Sequence, residues 1–235
     1  MIPQLPGLEI LDELGQGARN LVYRGRLRGR LVAVKVPRRR RDLEKVYQEY
    51  LCEASLQGRV THPGLLEVYE VGMHQDLPYL VQELAEPQPL SELLKRGPYS
   101  ADETLHLAVQ LAATLAAVHE RGLVHRDVKP ANILIGSSGQ ARLIDFGLTT
   151  RSLQSQVQVA SGTFSYSAPE QTGMLNRPLD GRADLYALGV VLYECVCGEL
   201  PFRSEDPGEL MHLHATRKAP EPPRHLPPLL RQVIN

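Results

Sequence analysis

The run His125-Arg126-Asp127-Val128-Lys129-Pro130-Ala131-Asn132 is followed at a short interval by Asp145-Phe146-Gly147, and Val32-Ala33-Val34-Lys35 lies upstream. Together these strings supply a carboxylate and an amide oxygen suited to a hard divalent cation, a carboxylate base beside a lysine, and a second lysine able to hold phosphate. Parts of that kind can move the terminal phosphoryl group of ATP onto a hydroxyl, a reaction governed by position and electrostatics. Any one of these aspartates alone reads as a buried structural carboxylate. Four polar positions in this order do not.

The elements that must carry them fall into two stretches. Residues 8–14, 20–26 and 31–37 read as strands, with Arg28-Gly29-Arg30 at a hairpin, and residues 65–72 and 78–84 as two more. A helix is predicted over residues 42–59, closed by Thr61-His62-Pro63-Gly64. Ala85-Glu86-Pro87-Gln88-Pro89 breaks both periodicities and is the expected hinge, with helices dominating beyond it. Ser100 with Glu103 forms a capping box opening a helix whose predicted apolar stripe is Leu105, Ala108, Val109, Ala112, Leu115, Ala116 and His119, ended by Gly122. A second helix, over about residues 184–197 with Gly198 behind it, is apolar around most of its circumference and belongs inside a lobe.

These strings in this order resemble a eukaryotic-type protein kinase, most similar to the Ser/Thr kinases of bacteria, from about Leu8 to the end of the chain. The resemblance implies an α+β bilobal fold: an N-lobe over residues 8–84 with a five-stranded antiparallel sheet and one main helix, a hinge at 85–89, and a mostly helical C-lobe over 90–235. It implies ATP and Mg²⁺ as cofactors, and a protein substrate bearing Ser or Thr. Leu14, Gly15, Gln16, Gly17 and Val22 would frame the loop over the phosphates, where glycine lets backbone N–H groups approach closely. The third glycine of that loop is Asn20 here, expected to keep the turn because asparagine tolerates positive φ. Lys35 would contact the α- and β-phosphates, held by Glu53 rather than Glu49. The Glu83 carbonyl and the Ala85 amide would bond adenine, with Val22, Ala33 and Leu134 against the ring and Gln82 as gatekeeper. Asp127 would orient the attacking hydroxyl, Lys129 would neutralise charge on the migrating group, and Asn132 and Asp145 would ligate Mg²⁺.

Lys129 and Thr163 imply Ser/Thr rather than Tyr specificity, and Ala168-Pro169-Glu170 closes the activation segment. No acidic residue lies between Asp145 and Glu170, yet Thr149, Thr150, Ser152, Ser155 and Ser161 offer hydroxyls. A phosphate added there, with Ser155 favoured, would give Arg126 an anionic partner and order the segment.

Two departures from the pattern stand out. Gln57 occupies a position where a hydrophobic residue usually supports the alignment of the lobes. The chain also ends at Asn235, before the terminal helices that normally bear an arginine for Glu170, so it is expected to be a fragment of a longer protein. A non-catalytic pseudokinase module is the rival reading, disfavoured by the intact Lys35, Asp127, Asn132 and Asp145. A small-molecule phosphotransferase is a third, disfavoured by Lys129, Thr163 and Ala-Pro-Glu.

Composition removes other classes. The 235 residues are 43% hydrophobic and 23% charged, with net charge −1, which offers no electrostatic footprint for nucleic acid or an anionic membrane. The basic run at residues 38–41 reads as a solvated connection. No stretch of eighteen apolar residues exists, and three cysteines form no disulfide framework, so a reducing, cytoplasmic setting is expected.

Overall fold

The computed structural model describes residues 5–17, 19–85, 88–146, 164–172 and 179–234, with the backbone alone at 56 and 57. The chain is α+β and divides into two compact units, one of Met1–Thr61 with Leu65–Glu86, the other of His62–Gly64 with Pro87–Asn235.

The first unit is built on five antiparallel strands: β1 (Leu8–Gln16), β2 (Asn20–Leu27), β3 (Arg30–Pro37), β4 (Val68–His74) and β5 (Leu77–Glu83), in the order β1-β2-β3-β5-β4. Strand alternation sorts β3 by face. Val32, Val34 and Val36 join Leu5, Leu8, Tyr23, Tyr79 and Val81 in one apolar cluster, so Ala33 and Lys35 fall on the opposite face. Arg28 (φ 50°) and Gly29 (φ 85°) both take the left-handed conformation, which is what a two-residue hairpin needs to match strand twist. Gln75 (φ 49°) and Asp76 (φ 60°) do the same between β4 and β5, at a turn with no Asn-Gly or Asp-Gly signal. β4 begins at Val68, not at 65, because Leu65 and Leu66 are buried ahead of the ladder instead of paired within it. The unit's helix, α1 (Leu43–Gln57), packs on β4 and β5. The basic run at 38–41 is exposed.

Among its described residues the second unit holds a small sheet, β6 (Gln88–Pro89), β7 (Ile133–Ile135) and β8 (Ala141–Leu143), and five helices: α2 (Leu90–Leu94), α3 (Ala101–His119), α4 (Gly181–Cys197), α5 (Pro207–Thr216) and α6 (Pro228–Val233). The capping box is made in full. The Ser100 hydroxyl accepts from Glu103 N–H at 3.2 Å, and Glu103 Oε2 accepts from Ser100 N–H at 2.8 Å. The hydroxyl and N–H of Ser100 together hold the Glu103 carboxyl below its ordinary value.

The face of α3 differs from the predicted stripe. Thr104, Leu107, Leu111, Thr114, Leu115 and Val118 are buried, whereas Val109 is 69% exposed and Ala112 and Ala116 face solvent. Of the predicted stripe Leu115 is buried and Leu105, Ala108 and His119 are partly so, but the stripe took in the exposed Val109, Ala112 and Ala116 and left out the two core threonines. Both threonine hydroxyls return to the helix, Thr104 Oγ1 to Ser100 O at 2.9 Å and Thr114 Oγ1 to Gln110 O at 2.8 Å, so each enters the core with its polar atom satisfied.

α4 starts three residues before the expected position because Asp180 caps it, accepting from Arg182 N–H. Gly198 closes it in the left-handed conformation. Ten of its residues are buried on several sides, as the sequence implied, although Leu185 is exposed. Cys195 is buried and Cys197 partly exposed, and neither forms a disulfide.

Candidate active site

In the first unit, β3 delivers Lys35 into a position where the residue is only 4% exposed. A buried ammonium needs a countercharge. Lys35 Nζ reaches Glu53 Oε1 at 3.1 Å, both side chains being almost fully covered. Glu49, one turn earlier on α1, goes instead to Arg19 Nη1 at 3.7 Å. Ala33 lies opposite Gln82 in the β3–β5 ladder, and both are buried. Val22 lies opposite Lys35 on β2, and Glu83 N–H donates to Glu67 O at 2.7 Å. Leu14, Gly15 and Gln16 end β1, where Gly15 pairs with Val22 and has open space where a Cβ would stand.

Asn20 departs from expectation. It does not take positive φ; it is the first residue of β2, and its carbonyl accepts from Gly17 N–H at 2.8 Å to close the turn. Its side chain has other work. Tyr50 Oη, on α1, donates to Asn20 Oδ1 at 3.0 Å. The turn is thereby bonded to the helix that carries Glu53. Tyr50 gave no signal in the sequence.

In the second unit the catalytic-loop residues lie between α3 and β7, ending in a single 3-10 turn, Pro130–Asn132. Asp127 is buried, and three hydrogen bonds from two donors hold its carboxylate: Lys129 Nζ at 2.8 Å to each oxygen, and Asn132 Nδ2 at 2.8 Å to Oδ2. Asn132 Nδ2 also donates to Asp127 O at 2.8 Å. Both bonds use the amide nitrogen, which leaves the amide oxygen as the atom suited to a cation. Leu134 follows on β7, opposite Arg142.

The backbone beneath this cluster is pinned from several directions. Asp184, 1% exposed near the start of α4, accepts from His125 N–H at 2.8 Å, Arg126 N–H at 2.7 Å and the His119 ring at 2.8 Å. His125 is fully buried. Its Nδ1 accepts from Asp127 N–H at 3.2 Å, so the ring proton sits on Nε2 and is donated to Ile144 O at 3.0 Å. Burial drives the His125 pKa down, keeping the ring neutral in that tautomer. The ring also meets Phe146 edge-on at 4.3 Å, so one histidine joins the loop of Asp127 to the segment of Asp145.

Arg126 (φ 69°) and Asp145 (φ 65°) both adopt the left-handed conformation that non-glycine residues rarely take. Strain of this kind persists where surrounding bonds overdetermine it and is concentrated at functional sites. His125, Asp184 and His119 were legible only as motif or stripe members, since their bonds span up to 65 residues of sequence.

Ser155 and Thr163 lie outside the described residues, as does the side chain of Gln57.

A family model for the protein kinase domain matches residues 8–230. The chain belongs to this protein kinase family. It is 34% identical over 230 residues to a probable serine/threonine-protein kinase of Corynebacterium efficiens, covering 92% of this chain and 34% of that protein. It is 36% identical over 239 residues to a serine/threonine-protein kinase of Myxococcus xanthus, covering 96% and 28% respectively. It is 37% identical over 216 residues to the serine/threonine-protein kinase PknA of Mycobacterium tuberculosis, covering 88% and 50%. The kinase chain thus spans half or less of the length of these relatives.

Protein kinases use ATP and usually Mg²⁺. The donor set fits such an ion, because a carboxylate and an amide oxygen are hard ligands. Among the described residues no group of three or more His, Cys, Asp or Glu could hold a metal. Mg²⁺ commonly takes one or two protein ligands and fills its shell with phosphate oxygens and water. No helix among the described residues is long and apolar enough to cross a membrane.

Proposed function

We propose that this kinase domain transfers the γ-phosphoryl group of ATP to serine or threonine hydroxyls of proteins. The observation that carries the reading is the Asp127 carboxylate, buried, paired with Lys129 at 2.8 Å and oriented by Asn132. A fixed carboxylate acceptor beside a lysine is what in-line transfer to a hydroxyl asks of a protein. The naming of the relatives as serine/threonine kinases supports the choice of acceptor.

In this reading Asp127 takes the proton of the attacking hydroxyl, and Lys129 neutralises charge as the phosphoryl group moves. Lys35, held by Glu53, binds the α- and β-phosphates. Leu14, Gly15, Gln16, Gly17, Val22, Ala33, Glu83, Ala85 and Leu134 position the nucleotide. Asn132 and Asp145 would hold Mg²⁺, which when bound would shield the charge of the phosphates. The chain's own hydroxyls between Asp145 and Glu170, Ser155 first among them, are also proposed acceptors, and Arg126 and Thr163 are the residues through which such a phosphate would act.

The test is transfer of labelled γ-phosphate, with Mg²⁺, to the protein itself and to a basic protein substrate. Asp127→Asn keeps the size of the side chain and removes the base. It is expected to lower the rate by about a hundred- to ten-thousandfold while nucleotide binding persists. Nucleotide binding by the wild-type chain with no transfer at all would overturn the proposal in favour of a non-catalytic module.

A further inference from the structure

Gln171 stands just beyond Ala168-Pro169-Glu170, in a 3-10 turn, Pro169–Thr172, on no recognised motif position. Its amide is used at both ends. Oε1 accepts from Ala168 N–H at 2.9 Å, which fixes the side chain over its own turn. Nε2 then donates to Arg126 O at 2.8 Å, a bond across 45 residues.

The peptide that receives this bond is the one joining Arg126 to Asp127. Its oxygen is held by Gln171, and its N–H is held by His125 Nδ1 at 3.2 Å. The preceding peptide is fixed as well, since Arg126 N–H donates to Asp184 Oδ1 at 2.7 Å. Between these two peptides lies the left-handed Arg126, φ 69°. A conformation that unfavourable relaxes by rotating one of its flanking peptides, and bonds on both sides oppose that rotation. Rotation of the second peptide would swing Asp127 itself.

We propose that Gln171 is a positioning residue for phosphoryl transfer, acting as a clamp on the Arg126–Asp127 peptide that keeps the Asp127 carboxylate aimed. The inference rests on the reading of Asp127 as the base. It assigns the turn after Ala-Pro-Glu a direct bond to the catalytic loop. Only an amide of this length meets the requirement: one oxygen for Ala168 N–H and one N–H for Arg126 O. Glutamate keeps the first bond and sets an anionic oxygen against the carbonyl in place of the second.

The test joins backbone exchange with kinetics on the whole chain, wild type against Gln171→Ala and Gln171→Glu. In Gln171→Ala, amide hydrogen exchange in residues 123–132 is expected to rise by about fivefold or more while α3 keeps its protection. kcat is expected to fall by about tenfold with KM for ATP within about twofold, the pattern of a lost orienting contact rather than lost binding. Gln171→Glu is expected to be impaired at neutral pH and to recover relative to wild type as pH falls, because a protonated carboxyl can again donate to Arg126 O. Should Gln171→Ala not fold, Gln171→Glu carries the test, as it retains the Ala168 bond.

Wild-type exchange at residues 123–132 in a folded variant would overturn the clamp, as would unchanged kcat despite faster exchange. If the wild-type chain transfers no phosphate, the proposed function falls, and exchange alone then decides whether the clamp exists.

Discussion

At the scale of single residues, the chemistry depends on charged groups taken out of water and compensated by named partners. Lys35 and Glu53 show how much of this a sequence can convey. The resemblance implies Glu53 rather than Glu49 as the partner of Lys35, and the two lie 3.1 Å apart. The bonds of Asn20, Tyr50, His125 and Gln171 were not legible, because their partners are set by chain reversals with no local pattern. Glu53→Gln tests the pair. The variant keeps an acceptor for Lys35 but removes the countercharge, and breaking a buried pair from one side costs on the order of 3 kcal/mol. The expected outcome is a first unit destabilised by roughly 1–3 kcal/mol in urea unfolding followed by circular dichroism, the residual amide bond softening the loss. kcat/KM for ATP should fall by about tenfold or more, since Lys35 would lose its fixed position. Unchanged values for both would remove Glu53 from the site.

At the scale of elements, the strands were legible and the buried face of α3 only in part, for one physical reason. Alternation along β3 needs no knowledge of neighbours, whereas a helix buries whichever side its neighbours fill, and threonines that bond their own backbone are admitted there. Gly64 makes the point measurable. Leu143 N–H donates to its carbonyl at 2.8 Å, which fixes the backbone against β8. A Cβ built at Gly64 would overlap Thr114 Oγ1 and stand 3.0 Å from the Thr114 Cβ. Neither side can withdraw, since Thr114 is fully buried within α3. Gly64→Ala is therefore expected to destabilise the second unit by about 1–3 kcal/mol, the range for overpacking. Removing the obstructing atoms should restore part of the loss, so Gly64→Ala with Thr114→Ala is expected to cost less than the sum of the single changes. Strict additivity in a double-mutant cycle would show that the two do not touch.

At the scale of the whole molecule, the prolines at 87 and 89 fall where the chain passes from the first compact unit to the second, which divide between Glu86 and Pro87. The assignment of His62–Gly64 to the second unit was not legible, since it depends on Gly64 lying against Thr114. That second unit also contains the buried histidines from which a pH dependence follows. His214 on α5 is buried beside the Phe202 ring at 5.0 Å, with Nδ1 2.7 Å from Tyr186 Oη. Burial raises the Tyr186 pKa to about 12, so its hydroxyl stays protonated and can donate to the neutral ring. Burial also lowers the His214 pKa to about 4, outweighing a bond at the Ser165 backbone that favours the charged form. His125 shifts in the same direction. For a histidine whose folded pKa lies below its unfolded value, the unfolded chain takes up the proton first. Stability is then fully present above the unfolded pKa near 6.5 and is lost as pH falls toward the folded one. His214 alone should cost the fold about 2 kcal/mol between pH 7.5 and pH 5, before most carboxylates titrate. Urea midpoints across that range should fall in the wild type, and His214→Gln should flatten the slope by that amount even if it lowers stability at pH 7.5. A variant with the wild-type slope would mean that the His214 ring accepts its proton in the folded state as readily as in the unfolded chain.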